Sequence, residues 1–261
     1  MQLLAVKIGN SNIGVAVCDG EEIVRSWRLE SRADKTADEY GIELRELLDG
    51  AGDAAARVCN VAIVSVVPAL TATLVETSHR YFRCAPFLVG PGIATGINIH
   101  YEDQRALGAD RLVGIVGAKA RYGAPSLVVD LGTATTFNAI DSSGDFAGGA
   151  IAPGLNMESE ALHQFTAKLP RVEIAPPPHA LARNTRDALR SGIFFGYVGL
   201  IEGLVARLLG ELGAPDAHVI ATGGYAPLIA PHCPSIHVVD QQLGFHGLRI
   251  LFETNRNGAG G

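Results

Sequence analysis

Lys7-Ile8-Gly9-Asn10-Ser11-Asn12 and Asp130-Leu131-Gly132-Thr133-Ala134-Thr135-Thr136 share one layout about half a chain apart. In each, an apolar run leads to a charged residue two places before a glycine, and small polar residues follow. Glycine lets backbone approach a ligand closely, and the short polar residues offer N–H and side-chain donors to phosphate oxygens. Phosphate binding is the chemistry these turns could do, with Gly9, Asn10, Ser11, Asn12, Gly132 and Thr133 as contacts. Setting Gly9 on Gly132 places Lys7 opposite Asp130, a cation where the other turn has a carboxylate. A third segment, Gly108-Ala109-Asp110-Arg111, puts a carboxylate beside a guanidinium after a tight turn. Phosphoryl transfer to a hydroxyl needs alignment, charge neutralisation and an acceptor for the hydroxyl proton. Asp110 can be that acceptor, with Arg111 holding it ionised and gripping an anionic group. The same pair also suits a helix start, where acidic residues are favourable.

These residues need elements to hold them. Runs at 3–8, 14–18 and 22–28, with Asp19-Gly20 as a hairpin signal, predict a meander that carries the first turn. Residues 36–48, acidic early and apolar later, end at Gly50 and read as a helix. The β-branched run 61–67, closed by Pro68, predicts a buried strand that leads into a loop and a helix. The stretch after Gly108-Ala109-Asp110-Arg111, to about 122, reads as helical, and 126–130 as the strand that delivers the second turn. The cycle then repeats, with strands at 135–140 and 146–151 and a helix near 157–162. Four prolines make 168–182 an irregular loop. Asn184 or Thr185 caps a long helix to about 212, in which Gly192, Gly196, Gly199 and Gly203 recur on one face. That stripe fits either close packing on a helix of the same subunit or a contact between two copies. Residues 219–224 read as a strand ending in another glycine turn. The implied division is 1–112, 113–253 and a frayed polar tail at 254–261.

The 261 residues are 48% hydrophobic, enough for a substantial core. A formal charge of −6 with 18% charged residues, and no gathering of Lys and Arg, argues against a nucleic-acid surface. Apolar stretches are broken before a membrane-spanning length and the first residues enter a strand pattern, so a cytoplasmic protein is expected. Cys18, Cys59, Cys84 and Cys233 form no C-x-x-C pair and read as buried small hydrophobes. His232, Cys233 and His237 lie close together but read as a surface turn around Pro234, and no structural metal is assigned.

Taken in order, several segments resemble the type III pantothenate kinases over nearly the whole chain. They are Gly9-Asn10-Ser11, Ser65-Val66-Val67-Pro68, Gly90-Pro91-Gly92, Gly108-Ala109-Asp110-Arg111, Asp130 to Thr136, Gly148-Gly149, Pro153-Gly154, Thr166 to Pro170, Asn184-Thr185 and Thr222-Gly223-Gly224. The resemblance implies an α/β duplicated ribonuclease-H-like fold, shared with actin and the acetate and sugar kinases, with two halves around a nucleotide cleft, and a homodimer. It implies ATP-dependent phosphorylation of pantothenate to 4'-phosphopantothenate, the first step of coenzyme A biosynthesis, with Mg2+ and a monovalent cation, K+ or NH4+. By the same resemblance Asp110 is the base, and Tyr101, Gly108, Ala109, Asp110, Arg111 and Thr185 line the pantothenate pocket. Thr133 meets ATP and Asp130 holds the monovalent cation. Plainer readings stand beside these: Tyr101 as an amphipathic surface residue, Thr185 as a helix cap and Thr133 as a turn hydroxyl.

Three positions depart from the family pattern. Lys7 stands where the first turn normally begins with Asp, Asn138 where the second motif commonly ends in Asp, and Gln104 near a common proline. An ammonium cannot ligate a metal, so Lys7 either pairs with Asp130 or Asp110 or meets phosphate directly. A second reading follows, a catalytically degenerate relative that binds nucleotide or pantothenate in a regulatory or accessory role. A third is an actin-like kinase acting on another hydroxylated acid.

Overall fold

The computed structural model describes residues 2–50 and 58–258. The chain forms two compact units, one of residues 1–120 with 242–261 and the other of residues 121–241.

In the first unit, β1 (Gln2–Ile8), β2 (Asn12–Asp19) and β3 (Glu22–Glu30) form the expected meander, followed by α1 (Ala37–Asp49). β4 (Asn60–Ser65), α2 (Pro68–Phe82) and β5 (Phe87–Leu88) come next, and the sheet order is β3-β2-β1-β4-β5. β1 is central, antiparallel to β2 and parallel to β4. Alternation sends Leu4, Val6 and Ile8 into a core with Tyr40, Leu44 and Leu48 of α1 and Leu70 and Leu74 of α2. Thr36 caps α1 in a reciprocal capping box with Glu39.

α3 (Ala109–Tyr122) follows a single 3-10 turn at Gln104–Ala106. Its partner is the helix Leu243–Gly258, α7 in chain order, which packs on β1 and β4. The two helices meet backbone to backbone. A Cβ on Gly247 would overlap the Val113 carbonyl, and one on Gly117 would overlap the Leu243 carbonyl. The division expected at residue 112 therefore falls inside α3, whose buried residues run from Arg111 to Ala118. Residues 254–258, expected as a frayed tail, continue α7, because its apolar face at Leu248, Leu251 and Phe252 is buried. The rest of that tail, 259–261, lies outside the described residues.

The second unit repeats the plan. β6 (Ser126–Leu131), β7 (Ala134–Ile140) and β8 (Phe146–Pro153) form a meander, followed by α4 (Leu155–Gln164) and α5 (Thr185–Leu212). β9 (His218–Thr222), one turn of helix α6 (Ala226–Ile229) and β10 (Val238–Val239) complete it. The sheet order β10-β9-β6-β7-β8 is the first order read from its other end, so β6 occupies the place of β1. Residues 165–184 have no helix or strand, as the prolines require, and Val172 and Ile174 pack against the core.

Asn184 caps α5, its Oδ1 accepting from the Asp187 N–H at 2.9 Å. One face of α5 buries Ile193, Tyr197, Ile201, Val205 and Leu209 in the core. Gly192, Gly196, Gly199 and Gly203 lie on the opposite face, where a Cβ would meet nothing within 4 Å. The glycine stripe therefore does not pack against a helix of its own unit. Among the described residues α5 is the one helix long and apolar enough to cross a membrane. Of the cysteines, Cys18 and Cys233 are buried as expected, while Cys84 is half-buried and Cys59 exposed. Cys59 precedes β4, outside the run of four consecutive buried residues at the centre of that strand.

Candidate active site

The first turn closes with the Gly9 N–H donating to the Asn12 carbonyl at 2.9 Å. The Gly9 carbonyl accepts from Ser31 Oγ at 2.6 Å and the Ser11 carbonyl from the Ser31 N–H at 3.2 Å. In a trans peptide the C=O and the following N–H point opposite ways, so the Asn10 N–H is turned away from Ser31 and outward. Asn10 and Ser11 are exposed. Lys7 is half-buried on β1 between Gly14 of β2 and Val64 of β4. Its ammonium lies against Gly244, where any Cβ would collide with it, and 5.5 Å from the centroid of the Phe245 ring. The ion pair with Asp110 that the sequence allowed is not formed; among the described residues of the first unit Lys7 has no carboxylate within 4 Å.

The second turn closes from the Gly132 N–H to the Ala134 carbonyl at 3.2 Å, one residue tighter than the first. Asp130 is half-buried, and Gly223, at φ +90°, leaves room for its Oδ1. Gly154 leaves room for the carbonyls of Gly132 and Thr133. Thr133 is exposed at the tip. Behind the turn, Thr135 Oγ1 donates to the Pro153 carbonyl at 3.0 Å and lies 2.6 Å from the Tyr197 hydroxyl. Thr135 has one hydroxyl proton, so Tyr197 is the donor in the second bond. Burial, foremost, pushes the Tyr197 phenol up to about 12, with the Glu158 and Asp130 carboxylates acting the same way. Asn138 lies buried inside the sheet, its amide donating to Thr136 Oγ1 at 3.2 Å, so this departure does not present a side chain at the turn.

The third group forms within the first unit. Asp110 is exposed in the first turn of α3, its Oδ1 accepting from the Arg111 N–H at 2.9 Å. A Cβ on Gly108 would sit 2.6 Å from that oxygen, so glycine there is what allows the carboxylate its orientation. Arg111 is 8% exposed; its Nη1 donates to the Tyr101 hydroxyl at 3.0 Å, and its guanidinium lies 5.6 Å from the Tyr101 ring centroid. Tyr101 is thus a partner of Arg111 rather than a lone surface aromatic. Gln104, exposed, donates to the Ile99 carbonyl at 3.2 Å and shapes the loop before α3.

A family profile described as type III pantothenate kinase matches residues 3–207. The chain belongs to the type III pantothenate kinases. It is 48% identical over 254 residues to the type III pantothenate kinase of Geotalea daltonii, covering 97% of this chain and 99% of that one. Solved structures share the fold at low identity. An activator of 2-hydroxyisocaproyl-CoA dehydratase from Clostridium difficile, solved with ADPNP, has a TM-score of 0.54 at 12% identity, covering 99% of this chain and 97% of that one. The MreB 5 protein of Spiroplasma citri, solved with AMPPNP, has a TM-score of 0.55 at 10% identity, covering 99% and 98%. The duplicated α/β plan of this pantothenate kinase is therefore the actin-like fold.

The first unit holds Lys7, Gly9, Asn10, Ser11 and Asn12 together with Tyr101, Gly108, Ala109, Asp110 and Arg111. The second holds Asp130, Gly132, Thr133 and Thr185, the last exposed at the first position of α5 with Asn184, not Thr185, as cap. A concavity of about 850 Å³ in the second unit, lined by Met157, Phe165, Arg171 and Tyr225 among others, contains none of these residues. Tests of metal fit differ between the turns. The Asp130 carboxylate has lone pairs for a cation, whereas the ammonium at the equivalent first-turn position has none. Sequence reasoning missed Tyr197, Gly154, Gly244 and Phe245. Gly154 stood in a quoted motif, but its role of admitting two carbonyls depends on a contact that spacing does not reveal.

Proposed function

We propose that this chain transfers the terminal phosphoryl group of ATP to the primary hydroxyl of pantothenate, with Asp110 receiving the hydroxyl proton. The observation that carries the reading is an exposed carboxylate fixed by Gly108 and the Arg111 N–H, beside a guanidinium that Tyr101 holds in place. Arg111, with Tyr101, is the group to orient the pantothenate carboxylate, and Thr185 adds a hydroxyl. The exposed donors of Asn10, Ser11 and Thr133 receive phosphate oxygens at the two turns, with Gly9, Asn12 and Gly132 shaping them. Asp130 is assigned the monovalent cation that the family's chemistry calls for. We further assign a cytoplasmic homodimer whose contact uses the open glycine face of α5.

Family membership supports the substrate, and the geometry around Asp110 supports its role as base. Asp110→Asn, assayed by ADP release with pantothenate, should lower kcat by about 10²- to 10⁴-fold with little change in KM. Unchanged kcat removes Asp110 from the reaction. Lys7 favours a second reading, ligand binding without turnover. Pantothenate-dependent ADP release by the unaltered chain in the presence of potassium or ammonium separates the two, since the second allows none.

A further inference from the structure

We propose that Lys7 is a built-in cation of the first phosphate turn, so that this chain holds the ATP phosphates there through an ammonium group and without a divalent cation. The proposal rests on the kinase reading above and concerns only what holds the phosphoryl donor. It starts from the internal repeat. Lys7 and Asp130 each lie two residues before the turn glycine, on the central strand of their sheets, between an antiparallel and a parallel neighbour. The position is thus one slot used twice, with a carboxylate in one unit and an ammonium in the other.

The slot has been shaped for the lysine. Gly244 leaves the space its side chain fills, Gly14 leaves room for the ring of Phe245, and Phe245, itself 7% exposed, presents that ring to the ammonium. Lys7 is therefore seated rather than extended into solvent. Among the described residues of the first unit, no carboxylate within 4 Å neutralises its charge. It is also held against the first turn of α7, the end of a helix that carries partial positive charge. A half-buried cation beside a positive helix end is an unfavourable pairing that an incoming anion relieves. The outward Asn10 N–H in the adjoining turn offers that anion a second donor.

A divalent cation fits this slot badly. Magnesium asks for oxygen ligands in a strict octahedral shell, and an ammonium has no lone pair to give and repels the ion. Metal-free ATP, more negative than its magnesium complex, is the better match to Lys7. The unit thus retains phosphate recognition while exchanging a carboxylate that works through a metal for a cation that works directly.

The test is calorimetric titration of ATP into the full-length protein, once with EDTA and once with magnesium, for the unaltered chain and for Lys7→Asp. The unaltered chain should bind metal-free ATP at least as tightly as the magnesium complex. Lys7→Asp should lose about tenfold to hundredfold in metal-free affinity, the worth of a charged hydrogen bond, and should come to require magnesium. Gly244→Ala places a methyl where the ammonium now lies and should weaken metal-free binding about tenfold while leaving β1 in place; it keeps the test open if Lys7→Asp does not fold. Binding by the unaltered chain only with magnesium, or unchanged metal-free affinity in the folded variants, overturns the role of Lys7 and leaves the kinase reading standing. No ATP binding in either buffer overturns both.

Discussion

Tyr197 shows how a residue far from a turn in sequence can control it. Its hydroxyl is 62 positions from Thr135, yet the two meet at 2.6 Å behind the second phosphate turn. Removing the hydroxyl with Tyr197→Phe leaves Thr135 without a donor to its oxygen and should lower stability by about 1 kcal/mol. The same residue gives a pH signature. Its phenol ionises near 10 in an unfolded chain and is pushed up to about 12 here, so the folded state retains the proton longer. The resulting stabilisation is complete below pH 10 and is lost as the pH rises toward about 12. Urea midpoints measured across that interval should fall less steeply for Tyr197→Phe than for the unaltered chain. Asp110 and Arg111 were legible in the sequence because the chemistry that joins them is local, one residue apart. Tyr197 was not, because a tyrosine at helical spacing reads as core until its partner is known.

Helices α3 and α7 are held together by two missing side chains. With Gly247 against the Val113 carbonyl and Gly117 against the Leu243 carbonyl, backbone faces backbone, and neither side has a flexible tip that can give way. Gly247→Ala should therefore separate the helices and lower the stability of the first unit by about 2–3 kcal/mol, read as a lower urea midpoint. Because Phe245 and Gly244 ride on α7, that variant should also shift the ammonium of Lys7. Among the elements, the strands were easiest to read, since β1, β2 and β6 are short apolar runs that each stop at a turn glycine. α7 was the hardest. Its glycines at 244 and 247 argue against helix by propensity, and what overrides that preference is a packing contact with a segment more than a hundred residues earlier. The placement of 254–258 in a tail followed from the same local polarity, whereas the buried face just before it carries the helix onward.

At the scale of the molecule, the open glycines of α5 bear on assembly. In a monomer each would be replaceable by alanine with a gain of about 1 kcal/mol, because helix propensity alone would decide. In the proposed homodimer the smooth face around Gly199 admits a partner's backbone. Gly199→Ala should then weaken the dimer, seen as a concentration-dependent fall in mass by light scattering. An unchanged mass with higher thermal stability removes α5 from the interface. The repeated sheet order was foreseeable from the two turns, but the assignment of segments to units was not, because a boundary drawn by linear order cannot anticipate a helix that returns. That return also sets a schedule for the nascent polypeptide. The chain leaves the ribosome from its first residue onward, so every segment of the second unit is made before α7. Although β1 is made early, the face it offers α7 must wait, and the later-made unit is the one free to finish folding first.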